Sequence, residues 1–132
     1  MTSKKEELQL ESEIQREICD WLHENKFFFW RQNNVPVFAR SNDGKMRYRA
    51  LPKYTPKGLP DIMLVYRGVF FGIEVKRPGC KLTPEQKVFA LALRSQGGFY
   101  LMADSVSQVQ QFFGQKQAEA DPLESVRLSI ES

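Results

Sequence analysis

The 132-residue chain reads as an α/β domain in which a central mixed β-sheet is flanked by helices. Three observations predict it. Apolar residues near the start recur at helical spacing, two strand-length apolar runs are joined by Arg67-Gly68, and Thr83-Pro84-Glu85-Gln86 marks a helix start. Hydrophobic residues make up 42% of the chain, enough for one core, so residues 1–114 are expected to form a single domain and 115–132 a polar tail.

The first helix is expected from Glu6 to Asn25, where Leu10, Ile14, Ile18, Trp21 and Leu22 recur at spacings of three and four. Phe27 to Arg31 reads as a short strand. From Gln32 to Leu59 periodicity is lost among Asn33-Asn34, Asn42-Asp43-Gly44, Pro52, Pro56 and Gly58, which predicts a long insertion with a short hairpin around Val37 to Arg49. Strands follow at Asp61–Tyr66 and Val69–Arg77, with Arg67-Gly68 as the hairpin turn. Thr83 then serves as N-cap, Pro84 as first helical residue and Gln86 as the capping-box partner of a helix with an apolar stripe of Val88, Phe89, Leu91, Ala92 and Leu93. Gly97-Gly98 ends it. Phe99–Ala103 reads as a strand, and Ser105–Phe113 as a helix capped by Asp104 or Ser105 that buries Val106, Val109, Phe112 and Phe113. Beyond Gly114 only Leu123, Val126, Leu128 and Ile130 offer apolar surface.

Two cysteines, Cys19 and Cys80, are too few for a disulfide framework, and no basic-then-apolar leader opens the chain, so a cytoplasmic setting is expected. The longest apolar runs have strand length, which argues against a membrane partner. The net charge is only +3, but it is unevenly spread. Arg31, Arg40, Lys45, Arg47, Arg49, Lys53 and Lys57 face a single acid, Asp43, in the central segment, the pattern of a polyanion-binding surface or of a solvated basic loop.

A two-residue turn at Arg67-Gly68 sets Tyr66 opposite Val69 and therefore Asp61 opposite Glu74. Facing β-carbons lie about 4.5–5.5 Å apart, where like charges repel unless neutralised. A divalent cation is the natural neutraliser, and strand alternation puts Lys76 on the same face as Glu74. On the first helix Glu11 falls within the inward stripe of Ile14, Ile18, Trp21 and Leu22, making it a third candidate carboxylate, with Glu13 the alternative if the helix is phased differently. Oxygen ligands without a cysteine or histidine cluster favour Mg²⁺ or Mn²⁺, and no organic cofactor is expected. Lys76 would orient or deprotonate a water, or offset charge on a phosphate. The lone histidine, His23, reads as a helix-end residue. Taken alone, Glu74-Val75-Lys76 is also the pattern of an exposed cross-strand ion pair.

At these residues the chain resembles the PD-(D/E)XK nuclease superfamily and, within it, the VRR-NUC family of virus-type replication and repair nucleases. The resemblance is carried in order by Glu11-Ser12-Glu13-Ile14-Gln15, Trp30-Arg31-Gln32-Asn33, Gly58-Leu59-Pro60-Asp61, Gly72-Ile73-Glu74-Val75-Lys76-Arg77-Pro78-Gly79 and Leu82-Thr83-Pro84-Glu85-Gln86, and covers about residues 11–114. It implies a restriction-endonuclease-like core, metal binding by Asp61, Glu74, the Val75 carbonyl and Glu11, and catalysis involving Lys76. Gln86 matches a glutamine at the site's edge, while its spacing alone equally describes a capping-box residue. The implied activity is Mg²⁺-dependent DNA endonuclease action, with branched DNA such as a four-way junction as substrate and a homodimer as the active form. A sequence-reading restriction-type enzyme and a non-catalytic DNA-binding module are the competing readings. In all three, the seven basic residues of 31–57 are the expected DNA contacts.

Overall fold

The computed structural model describes residues 3–32, 38–40, 42–48 and 53–117. In chain order these form α1 (Lys4–Glu24), β1 (Phe28–Arg31), β2 (Phe38–Arg40), β3 (Met46–Tyr48), β4 (Ile62–Tyr66), β5 (Val69–Val75), α2 (Pro84–Ser95), β6 (Phe99–Ala103) and α3 (Val106–Gln117). The expected α/β class and mixed sheet are present. Helix α1 starts at Lys4, two residues before the expected Glu6, because Ser3 and Glu6 form a reciprocal capping box. Ile14, Ile18 and Leu22 are buried as expected, whereas Leu10 is exposed.

Strands β1, β4, β5 and β6 lie side by side in that order, antiparallel except for the parallel β5–β6 pair. Arg67 and Gly68 have φ of 55° and 77°, both positive as a type I′ turn requires, and the β4–β5 register runs from Tyr66↔Val69 to Ile62↔Ile73. Because β5 and β6 are parallel, the chain must cross over between them, and α2 is that crossover. Strands β2 and β3 form a separate ribbon inside the 32–59 insertion, at the position expected for the hairpin.

One sheet face carries Leu64, Phe71, Ile73, Val75 and Ala103 and packs with Ile14, Ile18 and Leu22 of α1 and Val109 and Phe113 of α3. This is the core. The other face carries Trp30, Met63, Gly72, Glu74 and Tyr100, and α2 lies over its β5–β6 half. Here the expected stripe of α2 needs correction. Only Ala90 is buried, Phe89 and Leu93 are half-buried, and Val88 and Leu91 are exposed at 67% and 66%. The helix makes a narrow contact because Leu93 drops into the space left by Gly72 and Gly98. In α3 only Val109 and Phe113 are fully buried, Val106 and Phe112 half-buried, and the helix continues through Gly114 to Gln117. The tail 118–132 lies outside the described residues. No helix among the described residues is long and apolar enough to cross a membrane.

The segment leading to Asp61 is held by two close approaches. Gly58 has φ +76°, and a Cβ there would collide with the Glu85 carbonyl and lie 2.7 Å from the Gln86 nitrogen. Pro60 is fully buried, and a Cβ on Gly72 would lie 2.7 Å from its Cγ. These contacts press the Gly58–Asp61 segment onto the first turn of α2 and onto β5. Gly58→Ala is therefore expected to lower unfolding free energy in urea by about 2–4 kcal/mol, combining overpacking with the left-handed backbone cost. Gly44→Ala, with φ +79° but open space around it, should lose only about 1–2 kcal/mol.

Candidate functional site

Asp61 sits one residue before β4, where the ladder with β5 has just ended. Its carbonyl accepts the Gln32 amide at 2.8 Å, and its side-chain Oδ2 accepts the Val75 amide at 2.8 Å. The residue is thus fixed from both flanking strands. Glu74, next to the last residue of β5, is 5% exposed and is the one buried charged residue of the described core. Its Oε1 accepts the Gln86 amide at 2.8 Å and lies 3.9 Å from Lys76 Nζ. Lys76 is held in turn by its backbone amide, which donates to the Ala103 carbonyl of β6 at 2.9 Å.

Burial, followed by the charge of Asp61, pushes the Glu74 carboxyl up to about 8. Burial raises Asp61 too, but the Val75 amide and the contact with Glu74 oppose the rise. Both carboxyls are therefore pushed toward the protonated form, Glu74 chiefly by burial and by the charge of Asp61. Glu74 Oε2 is buried without an aligned hydrogen-bond partner among the described residues, as is the Tyr100 hydroxyl. Burial and then the nearby charges of Glu74 and Asp61 raise Tyr100 above the usual tyrosine range. Tyr100 belongs to this site and was not expected from the sequence. Its placement depends on the parallel β5–β6 register, which pairs it with Gly72 on the face carrying Glu74.

Gln86 fills both roles its position offered. Its Oε1 accepts the Thr83 amide at 2.9 Å while its Nε2 reaches Glu74. Since the Thr83 N–H can only donate, the oxygen must face it, and the NH₂ group is left to hold the glutamate. The capping box is thereby the device that orients a site residue.

Glu11 is half-buried on α1, and its charge is among those that raise Asp61, whereas Glu13 is exposed. Even so, no three Asp, Glu, His or Cys side chains among the described residues are gathered as a cation cage. The structure brings Asp61, Glu74, Lys76 and Gln86 together and leaves Glu11 at the rim. His23 is exposed at the end of α1, and Cys19 and Cys80 are free thiols, with burial raising Cys19. Of the basic residues, Arg31 is exposed and donates to Gln15 at 3.3 Å. Lys45, Lys53 and Lys57 are exposed as well, Lys53 lying over the Tyr54 ring. Arg40 and Arg47 lie on the β2–β3 ribbon, and Arg49 falls outside the described residues.

The donor set suits a hard divalent cation: two carboxyls, one of whose oxygens, Glu74 Oε2, is buried without an aligned hydrogen-bond partner among the described residues. Comparison with family models, curated proteins and solved structures finds no match.

The raised Glu74 pKa has a stability consequence. Between its ordinary 4.5 and about 8 the folded state holds a proton that the unfolded chain has released, so stability falls as pH rises through that window. Thermal unfolding in chelator should show a midpoint that drops between about pH 5 and pH 8.5, and Glu74→Gln should flatten the drop. A wild-type midpoint that rises over this range would contradict the assignment.

Proposed function

We propose that the chain is a Mg²⁺- or Mn²⁺-dependent DNA endonuclease with a PD-(D/E)XK-type site, acting as a homodimer on branched DNA. The observation that carries this reading is the juxtaposition of buried Glu74 with half-buried Asp61, with Lys76 Nζ 3.9 Å from Glu74 Oε1. A binding-only domain would gain nothing from acids placed where phosphate must approach. Asp61, Glu74 and the Val75 carbonyl would hold the cation, with Glu11 able to add a carboxylate from the rim. When bound, such an ion polarises phosphate and lowers the pKa of its water.

The chain's own groups divide the remaining work. The Val75 amide fixes one oxygen of Asp61, and Gln86 fixes one oxygen of Glu74, so neither carboxylate needs to reorganise. With a cation held between the carboxyls, Glu74 would release its proton to solvent. Lys76, with its side chain 17% exposed, presents an ammonium at the rim, positioned to offset negative charge on a phosphate or to orient the attacking water. The basic segment 31–57 supplies the phosphate contacts that hold the duplex arms. The dimer rests on the resemblance, and the uncharged edge strand β6, with Phe99 and Met102 exposed, is the surface we assign to it.

Incubation with labelled four-way, flap, single-stranded and plain duplex DNA, with Mg²⁺ or with chelator, tests the activity, its metal need and its substrate together. Cleavage of branched DNA that requires Mg²⁺ is expected, with Lys76→Ala cutting the rate by about 100-fold or more while DNA binding persists. Equal cleavage by wild type and Lys76→Ala would overturn the mechanism. Replacing Arg47 and Arg49 by alanine should weaken binding and flatten its log–log salt dependence by about one unit for each phosphate that is no longer neutralised. An unchanged slope would remove this basic segment from the interface.

A further inference from the structure

Among the described residues, the sheet face bearing Glu74 is covered unevenly, with Met63 of β4 buried and Phe28 and Trp30 of β1 exposed. Over the β5–β6 half, Leu93 and Phe89 of α2 pack on Gly72, Gly98 and Tyr100. Toward the β1 side stands a row of aromatic rings from β1 and the start of β5. Phe28 is 70% exposed, Trp30 39% exposed and Phe70 half-buried. Their ring centroids follow one another at 6.0 and 6.2 Å, edge to face. The indole N–H of Trp30 donates to Gln32 Oε1 at 3.3 Å, which sets the tilt of the ring.

Register places this row relative to the acids. Trp30 pairs with Met63, which pairs with Gly72, and Glu74 is the next residue of β5 on that face. Phe28 lies one further same-face step away, in the row of Val65 and Phe70. At about 3.3 Å per residue, Trp30 and Phe28 stand about 7 and 13 Å from the acid pair along the strand. The chain enters the basic segment directly from β1, at Arg31, and leaves it at Lys57, just before the buried Pro60. Exposed aromatics beside a cationic segment fit a partner with both phosphates and flat apolar surfaces. Purely apolar partners would gain nothing from the charge, and the interior of fully paired DNA would offer no ring faces.

We infer that Phe28, Trp30 and Phe70 form a stacking platform for unpaired nucleobases next to the cleavage site. This rests on the nucleic-acid reading above and narrows it, because a substrate must then bring unpaired nucleotides to the acid pair, as a junction centre or a flap base does. Base–aromatic stacking tolerates any sequence, since every base has a ring face, and is strong enough to select frayed over closed DNA.

The test measures binding rather than cleavage, with the full-length chain in chelator. Oligothymidine should quench the fluorescence of Trp30, and the quenching should vanish in Trp30→Phe while the oligonucleotide still binds. Phe28→Ala, at a highly exposed position, and Trp30→Ala should each weaken oligothymidine binding by about tenfold and leave the binding of a covalently closed circular duplex unchanged. Equal loss on both DNAs, no loss on either, or quenching that survives Trp30→Phe would overturn the platform. Cleavage is read separately. Failure to cut with quenching intact would refute the nuclease and keep the platform, and cutting with unaltered binding by both variants would do the reverse.

Discussion

The structure turns on one electrostatic constraint: Glu74 is buried next to Asp61 at the end of the central sheet. Two carboxylates cannot both be ionised there without a neutraliser, and the low local polarity makes their repulsion larger than it would be at a surface. Around the pair, the protein supplies only partial relief. The Val75 amide and the Gln86 side chain each satisfy one oxygen, Lys76 adds a positive charge at 3.9 Å, and Glu74 Oε2 is left without an aligned partner among the described residues. A fold built for stability alone would place an apolar side chain at position 74. Retaining the acid at this cost is the physical argument for a functional site.

The motif residues are separated in sequence because they come from elements that must be clamped together. Gly58 lets the loop touch the backbone of Glu85 and Gln86, and Pro60 fills the notch of Gly72. Asp61 therefore follows a loop fastened to both α2 and β5. The same first turn of α2 carries Gln86, whose amide spans from the Thr83 cap to Glu74. Loss of the cap would loosen the glutamate as well as the helix.

Much of this is legible in the sequence, for reasons that differ by element. The β4–β5 register follows from a two-residue turn, since only one pairing is compatible with Arg67-Gly68 and both residues take the positive φ it needs. The start of α2 follows from its capping box, and the half-burial of Glu11 against the exposure of Glu13 from helical phase. Tyr100 is not legible, because a parallel neighbour is placed by a crossover helix and not by any local turn. Val88 and Leu91 look like core in the sequence yet are exposed, because periodicity reports which residues share a helix face and says nothing about how much of that face a neighbour covers. Ser3 is hidden for a different reason: the apolar pattern begins well inside the helix it caps.

Linkage offers the most direct test of the central claim. If the pair shares a proton in the free protein and releases it to bind a cation, calorimetric titration with Mn²⁺ at about pH 7, in buffers of different ionisation enthalpy, should show about one proton released per ion bound. Glu74→Gln should bind weakly and release none. Tight binding by wild type with no proton release, or no binding at all, would contradict the account.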